Sequence, residues 1–407
     1  MYFVVIRTNG GKVVISNTND AAHQYHYGSA ASLELATGNN CYEGHAIVGS
    51  LKVTEGKVIA ETGSYIGLVE ANTNVTLVEN GKGVFVIPEN ADASKIPATV
   101  ASQIGYTIEG NTITPSAEKA DKSYFVIGSA SDLTDFVSRW NSGDEATKTI
   151  RSIKFAADVV YDYTVNPWTP LGTWDNPFNG TIDGMGCTIK GMGVVNNVAG
   201  QGTSGSTSGI SGEAYGLIGI AGGGDVTVKN IKFVDLTINH SSGNMVGAVI
   251  GFAPSNQKFQ EKTKWNGNTT IGTHNVTITD ITVSGSITAL QDAAGIAGKL
   301  YNSGKQTIKN CTNNAAITVT TTNEGYGRAA GIVAMASNTQ TLLFENCVNK
   351  GSVTSIKFAC GIVAYLSYMT GTITGCRNEG TLTGNSTYVN NIWSEANKTG
   401  TVNLTVN

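Results

Sequence analysis

The first 120 residues alternate between apolar and polar side chains in short runs. The run Val75–Val78 is typical, and its period of two predicts a β-strand. Asn9-Gly10 and Asn80-Gly81 lie between such runs and have the residues of tight hairpin turns. The region shows no repeat period. We therefore predict a small antiparallel β domain over residues 1–120.

One segment follows a helical period instead. Leu133, Phe136, Val137 and Trp140 follow Ser131 at the spacing of a single helical face. The Asn-Ser-Gly sequence that comes next is a helix C-terminal signal. We predict an amphipathic helix that caps the exposed end of a strand array beginning near residue 124.

The array is visible as an internal repeat in the second half of the chain. A five-residue string rich in Ala, Gly and Ile occurs at 294–298, 330–334 and 360–364. A Cys-x-Asn string follows each copy, at 311–313, 347–349 and 376–378. The cysteines of successive copies are 36 and 29 residues apart. Repetition on this scale predicts stacked strands, because each repeat buries its apolar face against the next one.

Each repeat divides into three short strands, such as 360–366, 370–376 and 379–384, and leaves no room for a helix. We predict an all-β fold: a right-handed parallel β-helix with an N-terminal capping helix over residues 124–407, preceded by the small antiparallel β domain. Equivalent residues of successive coils would then stack ~4.8 Å apart. The predicted stacks are an inward column of Ile296, Ile332 and Ile362, a second column of Cys311, Cys347 and Cys376, and an amide ladder of Asn313, Asn349 and Asn378.

A family resemblance rests on the start of the array. Trp168-Thr-Pro-Leu-Gly172 and Pro177-Phe-Asn-Gly-Thr-Ile-Asp-Gly184 resemble the opening of the glycine-rich GLUG-type β-helix repeats of gut bacterial surface proteins and their phages. Gly216-Leu-Ile-Gly219 resembles a later copy, and the resemblance covers roughly residues 124–385. It implies a β-helix with an exposed adhesive or structural role and no catalytic residues. Residues 1–120 lie outside it.

Charge and the first residues bear on location. Only 14% of the residues are charged and the formal net charge is −4, which argues against nucleic acid and anionic membrane as partners. The apolar run at residues 2–6 is too short for a signal-peptide core. Bacterial members of the family normally carry an export signal, so the sequence favours a phage virion protein over a bacterial adhesin.

The six cysteines and three of the histidines are candidate metal ligands. The six cysteines form no Cys-x-x-Cys pair, and stacked thiols are more typical of a packed column, although oxidation of one neighbouring pair stays open. His23, His26 and His45 share no helix that would align them, which favours surface or turn roles. We predict no metal and no cofactor.

A glycan-cleaving enzyme would need two carboxylates across a groove. The aspartates at or near the array are scattered, and several occupy turns or recur with the repeat: Asp158, Asp162, Asp175, Asp183, Asp225, Asp235, Asp280 and Asp292. We therefore predict no catalytic residues, with a glycoside hydrolase or polysaccharide lyase as the alternative.

Two insertions interrupt the repeat, at residues 196–214 and 253–275. Loops on a rigid scaffold commonly carry binding residues. We name Trp265, in the second insertion, and Trp174, in the opening motif, as aromatic side chains that could stack on a sugar or a protein partner. Local packing against the coil is the alternative for both.

Together these patterns predict a non-enzymatic structural and adhesive protein. The leading hypothesis is a phage appendage, a head or tail fibre or decoration protein on the virion surface. It would be a homotrimer that docks to other virion proteins through residues 1–120 and presents the array to host or mucosal glycan. The alternatives are a bacterial cell-surface adhesin and a polysaccharide-depolymerising tailspike. Nucleic-acid binding and membrane insertion are not expected.

Overall fold

The computed structural model describes residues 3–15, 23–35, 39–42, 46–194, 213–240, 243–254, 272–301, 303–323, 327–337 and 341–407. The chain forms two compact units. The first comprises residues 1–127 and 142–154, and the second comprises residues 128–141 and 155–407. The predicted division was 1–120 and 124–407, so the main difference is the segment 142–154, which belongs to the first unit.

The first unit contains thirteen of the described strands and two short helices. They are β1 Phe3–Asn9, β2 Lys12–Ile15, β3 His23–Leu35, β4 Asn39–Tyr42, β5 Ile47–Val53, β6 Gly56–Ala60, β7 Tyr65–Ala71, β8 Val75–Glu79, β9 Val84–Val86, α1 Ala98–Gln103, β10 Tyr106–Glu109, β11 Thr112–Pro115, α2 Ala117–Lys122, β12 Phe125–Ile127 and, ending at the boundary, β13 Ser152–Phe155. Single 3-10 turns lie at Ala93–Lys95 and Thr147–Thr149.

The prediction of an antiparallel domain at residues 1–120 is wrong. Strands β1 to β9 form one sheet in the order β8-β6-β4-β3-β5-β7-β9, with β1 and β2 on β3, and they pair in parallel. Strands β10 and β11 form a separate antiparallel pair. Ile47 pairs with Tyr65, and Tyr65 pairs with Val84, so each strand aligns with the next but one along the chain.

The misreading has a local cause. Gly10 and Gly81 have left-handed φ angles of 76° and 60°, as hairpin glycines do. Here they end strands that turn a corner instead of folding back, and the Gly10 N–H donates to Ser29 O on a parallel neighbour at 2.8 Å. A glycine turn therefore reports the backbone angle at one residue and not the direction of the next strand.

The helix predicted at Ser131–Trp140 is confirmed as α3, Ala130–Asn141. Its buried face consists of Leu133, Phe136, Val137 and Trp140. Trp140 packs within the second unit. Its Nε1 donates to Asn176 O at 3.2 Å, and its ring lies 4.9 Å from that of Phe178.

The second unit consists mainly of strands, with one 3-10 turn at Ser386–Tyr388. The strands are β14 Val160–Asp162, β15 Phe178–Lys190, β16 Gly193–Val194, β17 Glu213–Tyr215, β18 Ile218–His240, β19 Gly243–Gly247, β20 Ile250–Ala253, β21 His274–Ala289, β22 Asp292–Ala294, β23 Ala297–Leu300, β24 Ser303–Lys309, β25 Thr312–Asn313, β26 Ala316–Val319, β27 Arg328–Ala330, β28 Val333–Ser337, β29 Thr341–Glu345, β30 Val348–Asn349, β31 Val353–Thr354, β32 Phe358–Cys360, β33 Val363–Thr374, β34 Arg377–Asn378, β35 Leu382–Thr383, β36 Val389–Asn390 and β37 Lys398–Val406.

These strands pair in parallel in two sheets. The smaller has six strands in the order β17-β19-β22-β27-β32-β36, and the larger contains the others. Side chains at corresponding positions of neighbouring strands lie in register, as in the run Ile250, Ala297, Val333 and Val363. The inward residues of this run of strands are aliphatic and almost completely buried.

Beyond the all-β level, the predicted fold class is wrong. The prediction was a right-handed β-helix of short three-strand coils after an antiparallel domain. Instead, the first unit is a parallel sheet, and the second combines a large and a small parallel sheet whose strands include β18 with 23 residues and β21 with 16. Asn230 and Asp280 have left-handed φ angles of 58° and 57° inside these strands, and the residues on either side of each keep their pairing.

None of the helices in the described part of the chain is both long enough and apolar enough to cross a bilayer.

Candidate functional site

The predicted isoleucine column lies at the centre of the repeats. Ile296, Ile332 and Ile362 have no exposed surface. The Ile296 N–H donates to Ile332 O at 3.1 Å, and the Ile362 carbonyl accepts from Val333 N at 2.9 Å. These residues form packed core and offer nothing to a ligand.

The structure places the predicted cysteines in a longer column. In register order the column is Cys187, Ile231, Ile281, Cys311, Cys347 and Cys376. Cys311, Cys347 and Cys376 are free thiols, and hydrogen bonding to Cys311 raises the pKa of the Cys347 thiol above its usual range. Because the thiolate is the nucleophile and metal ligand, protonated thiols in this setting are suited to packing.

The predicted asparagines form a continuous amide ladder. Asn313 Nδ2 donates to Asn349 Oδ1 at 2.8 Å, and Asn349 Nδ2 donates to Asn378 Oδ1 at 2.7 Å. Each amide also bonds the backbone two residues ahead; Asn349 Nδ2, for example, donates to Gly351 O at 2.9 Å. Asn313 and Asn349 are fully buried, so this ladder is an internal turn support.

The aspartates considered for catalysis have structural partners. Two hydrogen bonds from Thr164 lower the pKa of Asp162, and a backbone hydrogen bond from Asn275 lowers that of Asp225. Burial works to raise the pKa of Asp183, but hydrogen bonds from Asn230, Met185 and Lys229 lower it overall. A general acid needs the opposite shift, so none of these three suits that role.

The remaining candidate residues are Trp265 and three histidines, and the structure describes only some of them. Trp265 and His45 lie outside the described residues, and only the backbone of His23 is described. His26 is buried. Within the described residues, no three His, Cys, Asp or Glu side chains are grouped so that they could hold a metal ion.

Trp174 is half-buried and packs against the protein. Its ring lies 5.6 Å from that of Phe252, edge to face, and it borders a cluster of Ala214, Ile220, Met245 and Phe252. Local packing therefore accounts for Trp174, and its position marks one end of a pair of side-chain columns that sequence reasoning missed.

The two columns occupy the positions on either side of the Ala-Gly-Ile string, and six of their eight residues are buried. Successive repeats carry before the string Met245, Asp292, Arg328 and Phe358, in register on the small sheet. They carry after it Phe252, Lys299, Met335 and Tyr365, in register on the large sheet. We call these eight residues the paired-column face. Its side chains change more from repeat to repeat than the string between them does.

The two columns contact each other. The Arg328 guanidinium lies 4.6 Å from the centre of the Tyr365 ring, and the rings of Phe358 and Tyr365 are 5.7 Å apart. Lys299 Nζ lies over two rings, 5.9 Å from the centre of Phe252 and 4.8 Å from that of Tyr301. Cations over aromatic rings are a common element of recognition surfaces.

Three charges are buried together in this face. Arg328 Nη1 and Asp292 Oδ1 form an ion pair at 3.0 Å, with side-chain exposures of 11% and 3%. Burial lowers the pKa of Lys299 to about 8, against the opposing influence of Asp292. Burying charge is costly. Neighbouring repeats carry Met, Phe and Tyr at the equivalent positions, so the charges are a distinctive feature of these two repeats.

A cleft of about 360 Å³ opens beside the buried charges. This volume lies at the small end of the range for ligand pockets. We call it the tyrosine cleft, and its lining consists of Tyr301, Arg328, Met335, Ser337, Tyr365, Ser367, Tyr368 and Thr399. The Tyr365 and Thr399 hydroxyls are hydrogen-bonded to each other. Burial raises the pKa of Tyr301, and the nearby Ser337 side chain opposes that shift.

Tyr368 occupies a strained position at the edge of the cleft. Its φ is 48°, an unusual value for an aromatic residue, and its side chain is exposed, at 57%. It lies at a break in the register between β33 and β37, where Ser367 pairs with Thr399 and Met369 with Val402. Bulges of this kind redirect side chains near binding sites, and here the bulge directs a tyrosine into the cleft lining.

A signal for these columns was present in the repeat. Lys299 follows the same string as Met335 and Tyr365, and Asp292 precedes it as Phe358 does. Comparing the copies would have shown charged residues at two positions that are otherwise apolar or aromatic. Only the fold shows that these two positions face each other.

Comparisons with known proteins add little. No family model matches the chain, and no curated protein matches it, so the GLUG-type resemblance stays a prediction. A solved structure that it resembles belongs to a candidate immunoglobulin A1 protease from Bacteroides ovatus, at 20% identity and a TM-score of 0.44, covering 70% of this chain and 78% of that one. A likeness at that score carries no argument about fold or activity.

Proposed function

We propose that this chain is a non-enzymatic adhesive protein that binds a saccharide at the tyrosine cleft. The observation that supports the proposal most directly is the strained, exposed Tyr368 beside Tyr301 and Tyr365 in one small cleft. Tyrosine offers a flat apolar ring that stacks on the C–H face of a sugar, together with a hydroxyl for hydrogen bonding.

The scaffold suits recognition without catalysis. Tyr301 follows β23 directly, whereas Arg328, Met335 and Tyr365 lie within strands, so backbone ladders hold their positions. Residues on regular elements keep their geometry better than residues on loops. The Asp292 carboxylate next to this cleft is held by Arg328, and an ion-paired carboxylate is poorly suited to protonating a leaving group.

Replacement of Tyr368 by Ala tests the proposed site. We expect the wild-type chain to bind saccharides on an oligosaccharide array and the Tyr368→Ala variant to bind about tenfold more weakly, since an aromatic anchor contributes more than 1 kcal/mol. Val165→Ala is the control, because Val165 is an 88% exposed apolar residue outside the cleft lining. Equal binding by the wild type and Tyr368→Ala would contradict the assignment of the site.

The same saccharides test the non-enzymatic part. We expect no new reducing ends and no unsaturated products after prolonged incubation with the wild-type chain. Product release that Tyr368→Ala abolishes would replace this proposal with the depolymerase alternative.

The virion location stays a separate proposal that derives from the sequence. Mass spectrometry of purified phage particles checks it: recovery of the chain in fixed stoichiometry, in threes, supports a trimeric appendage. Absence from particles would favour the cell-surface alternative, and neither result alters the prediction for Tyr368.

A further inference from the structure

The charges of the paired-column face indicate what kind of saccharide the tyrosine cleft takes; this step rests on the proposed function. The described residues place two cations, Lys299 and Arg328, and one anion, Asp292, in a largely buried cluster. The cluster therefore has one positive charge in excess. Lys357, whose Nζ lies 4.9 Å from the centre of the Phe358 ring, adds a further cation at the next repeat.

The excess charge lies beside the cleft. Arg328 is the charged residue in the cleft lining, and Lys299 Nζ lies 4.8 Å from the ring centre of Tyr301, another lining residue. The Lys398–Glu395 ion pair, adjacent in sequence to lining residue Thr399, is neutral as a whole. The excess positive charge would attract a negatively charged ligand group in the cleft. Because water screens charges only weakly in a poorly solvated site, this attraction stays strong.

The positive charge alone would suit many anions, but the rest of the lining is more selective. Tyr368 offers an exposed ring, Tyr301 and Tyr365 are half-buried rings of the lining, and Ser337 and Ser367 add hydroxyls to it. This combination fits a ring that is apolar on one face, carries hydroxyls at its edge and bears one acidic group. From this geometry we infer that the tyrosine cleft binds an acidic saccharide, whose carboxylate interacts with Arg328.

Arg328 is suited to this role because of its environment. Its guanidinium lies over the Tyr365 ring and bonds Asp292 through Nη1. These two contacts fix the plane of the fork. A guanidinium fixed in this way presents donors to a carboxylate at little further cost in side-chain entropy.

The first experiment compares ligands on the unaltered chain. The full chain is applied to an array that contains uronic acids, nonulosonic acids, sulfated sugars, neutral hexoses and acidic peptides. The carboxylated saccharide that binds best is then compared by calorimetry with its methyl ester, which keeps the ring and removes the charge. We expect the ester to bind at least tenfold more weakly, as for loss of a charge-assisted hydrogen bond.

The second experiment changes the protein. The triple variant Asp292→Asn/Lys299→Met/Arg328→Gln removes all three charges of the buried cluster, and we expect it to bind acid and ester alike. Lys299→Met adopts the residue found at Met335, and we expect it to reduce the salt dependence of binding. Lys232→Gln is the control, since it removes the same charge from an exposed residue of β18.

The outcomes separate the two proposals. Equal affinity for acid and ester, or binding of neutral or sulfated sugars only, overturns the acidic-saccharide inference and leaves saccharide binding intact. Binding of acidic peptides without any saccharide, or no binding at all, overturns both. Because the ester comparison uses the wild-type chain, the inference stays testable even if a variant fails to fold.

Discussion

Asparagine recurs at two positions of each repeat, and each position uses a different property of the residue. Asn310 and Asn346 have left-handed φ angles of 54°, which asparagine tolerates better than most residues. Asn313 and Asn349 are instead fully buried and link the repeats through their amides. In the last repeat Gly375 takes the left-handed position, with a φ of 62°.

The buried amide of Asn349 should be costly to remove. Asn349→Ala leaves a buried donor of Asn313 without its partner and removes one of the two hydrogen bonds that Asn378 Oδ1 accepts, the other coming from Gly380 N. We expect a loss of roughly 3 kcal/mol in the free energy of unfolding, since unsatisfied buried polar groups cost more than the bond itself contributes. Urea denaturation measures it.

Asn346→Gly is the matched control for this prediction. It removes an exposed asparagine of the same repeat whose side chain makes only a long 3.5 Å bond to Asn310, and glycine accommodates its φ. A cost for Asn349→Ala no larger than that of Asn346→Gly would show that the ladder does not stabilise the fold.

Cys360 should make stability depend on alkaline pH. Burial raises the pKa of this thiol from 9.0 to about 11. The unfolded chain therefore loses the proton first, and the contribution of Cys360 to stability, fully present below pH 9, is lost as pH rises through about 11. Cys360→Ala adopts the residue of its register partner Ala330, so it should fold well.

The measurement is urea denaturation of the wild type and Cys360→Ala at pH 7.5 and pH 10. Stability of both should fall between these values, because other buried thiols such as Cys187 also have a raised pKa. We expect the fall to be smaller for Cys360→Ala. Identical falls would mean that Cys360 titrates alike in the folded and unfolded chains.

At the scale of elements, the sequence predicted the recurring core positions and the helix, but it did not predict the direction of strands whose residues differ. The isoleucine, cysteine and asparagine positions were identified because identical residues that recur with the repeat share one environment. The helix α3 was identified because its apolar spacing is unambiguous. Strand direction in the first unit was not, because Ile47, Tyr65 and Val84 pair without resembling one another.

The candidate site was missed for a related reason. Along the sequence Asp292 is one of several scattered carboxylates, and local spacing does not single out Arg328, Lys299 or the tyrosines. Their significance depends on a corner of the fold that brings the residues before and after the string together, as the 4.6 Å approach of Arg328 to the Tyr365 ring shows. Spacing along one strand does not contain that information.

At the scale of the whole molecule, the two units are interleaved in sequence. Residues 142–154 return to the first unit after α3, which belongs to the second. Within the first unit Ala146, Thr147 and Ile150 have no exposed surface, and Asp144 accepts a hydrogen bond from Ser29 at 2.8 Å. The first unit should therefore depend on a segment that a simple division near residue 120 would remove.

Two shortened chains test this dependence. A chain that ends at Ile127 should be less stable than one that ends at Lys154 by about 3 kcal/mol or more, the cost of losing a buried aliphatic side chain and its neighbours. The longer chain would carry Phe136→Lys and Trp140→Lys, since these residues of α3 pack within the second unit. Ile150→Ala in that longer chain is the control of equal length and should lose about 2–4 kcal/mol. If the chain ending at Ile127 proved as stable as the longer one, residues 142–154 would not stabilise the first unit. A domain boundary near residue 120 would then be the better description.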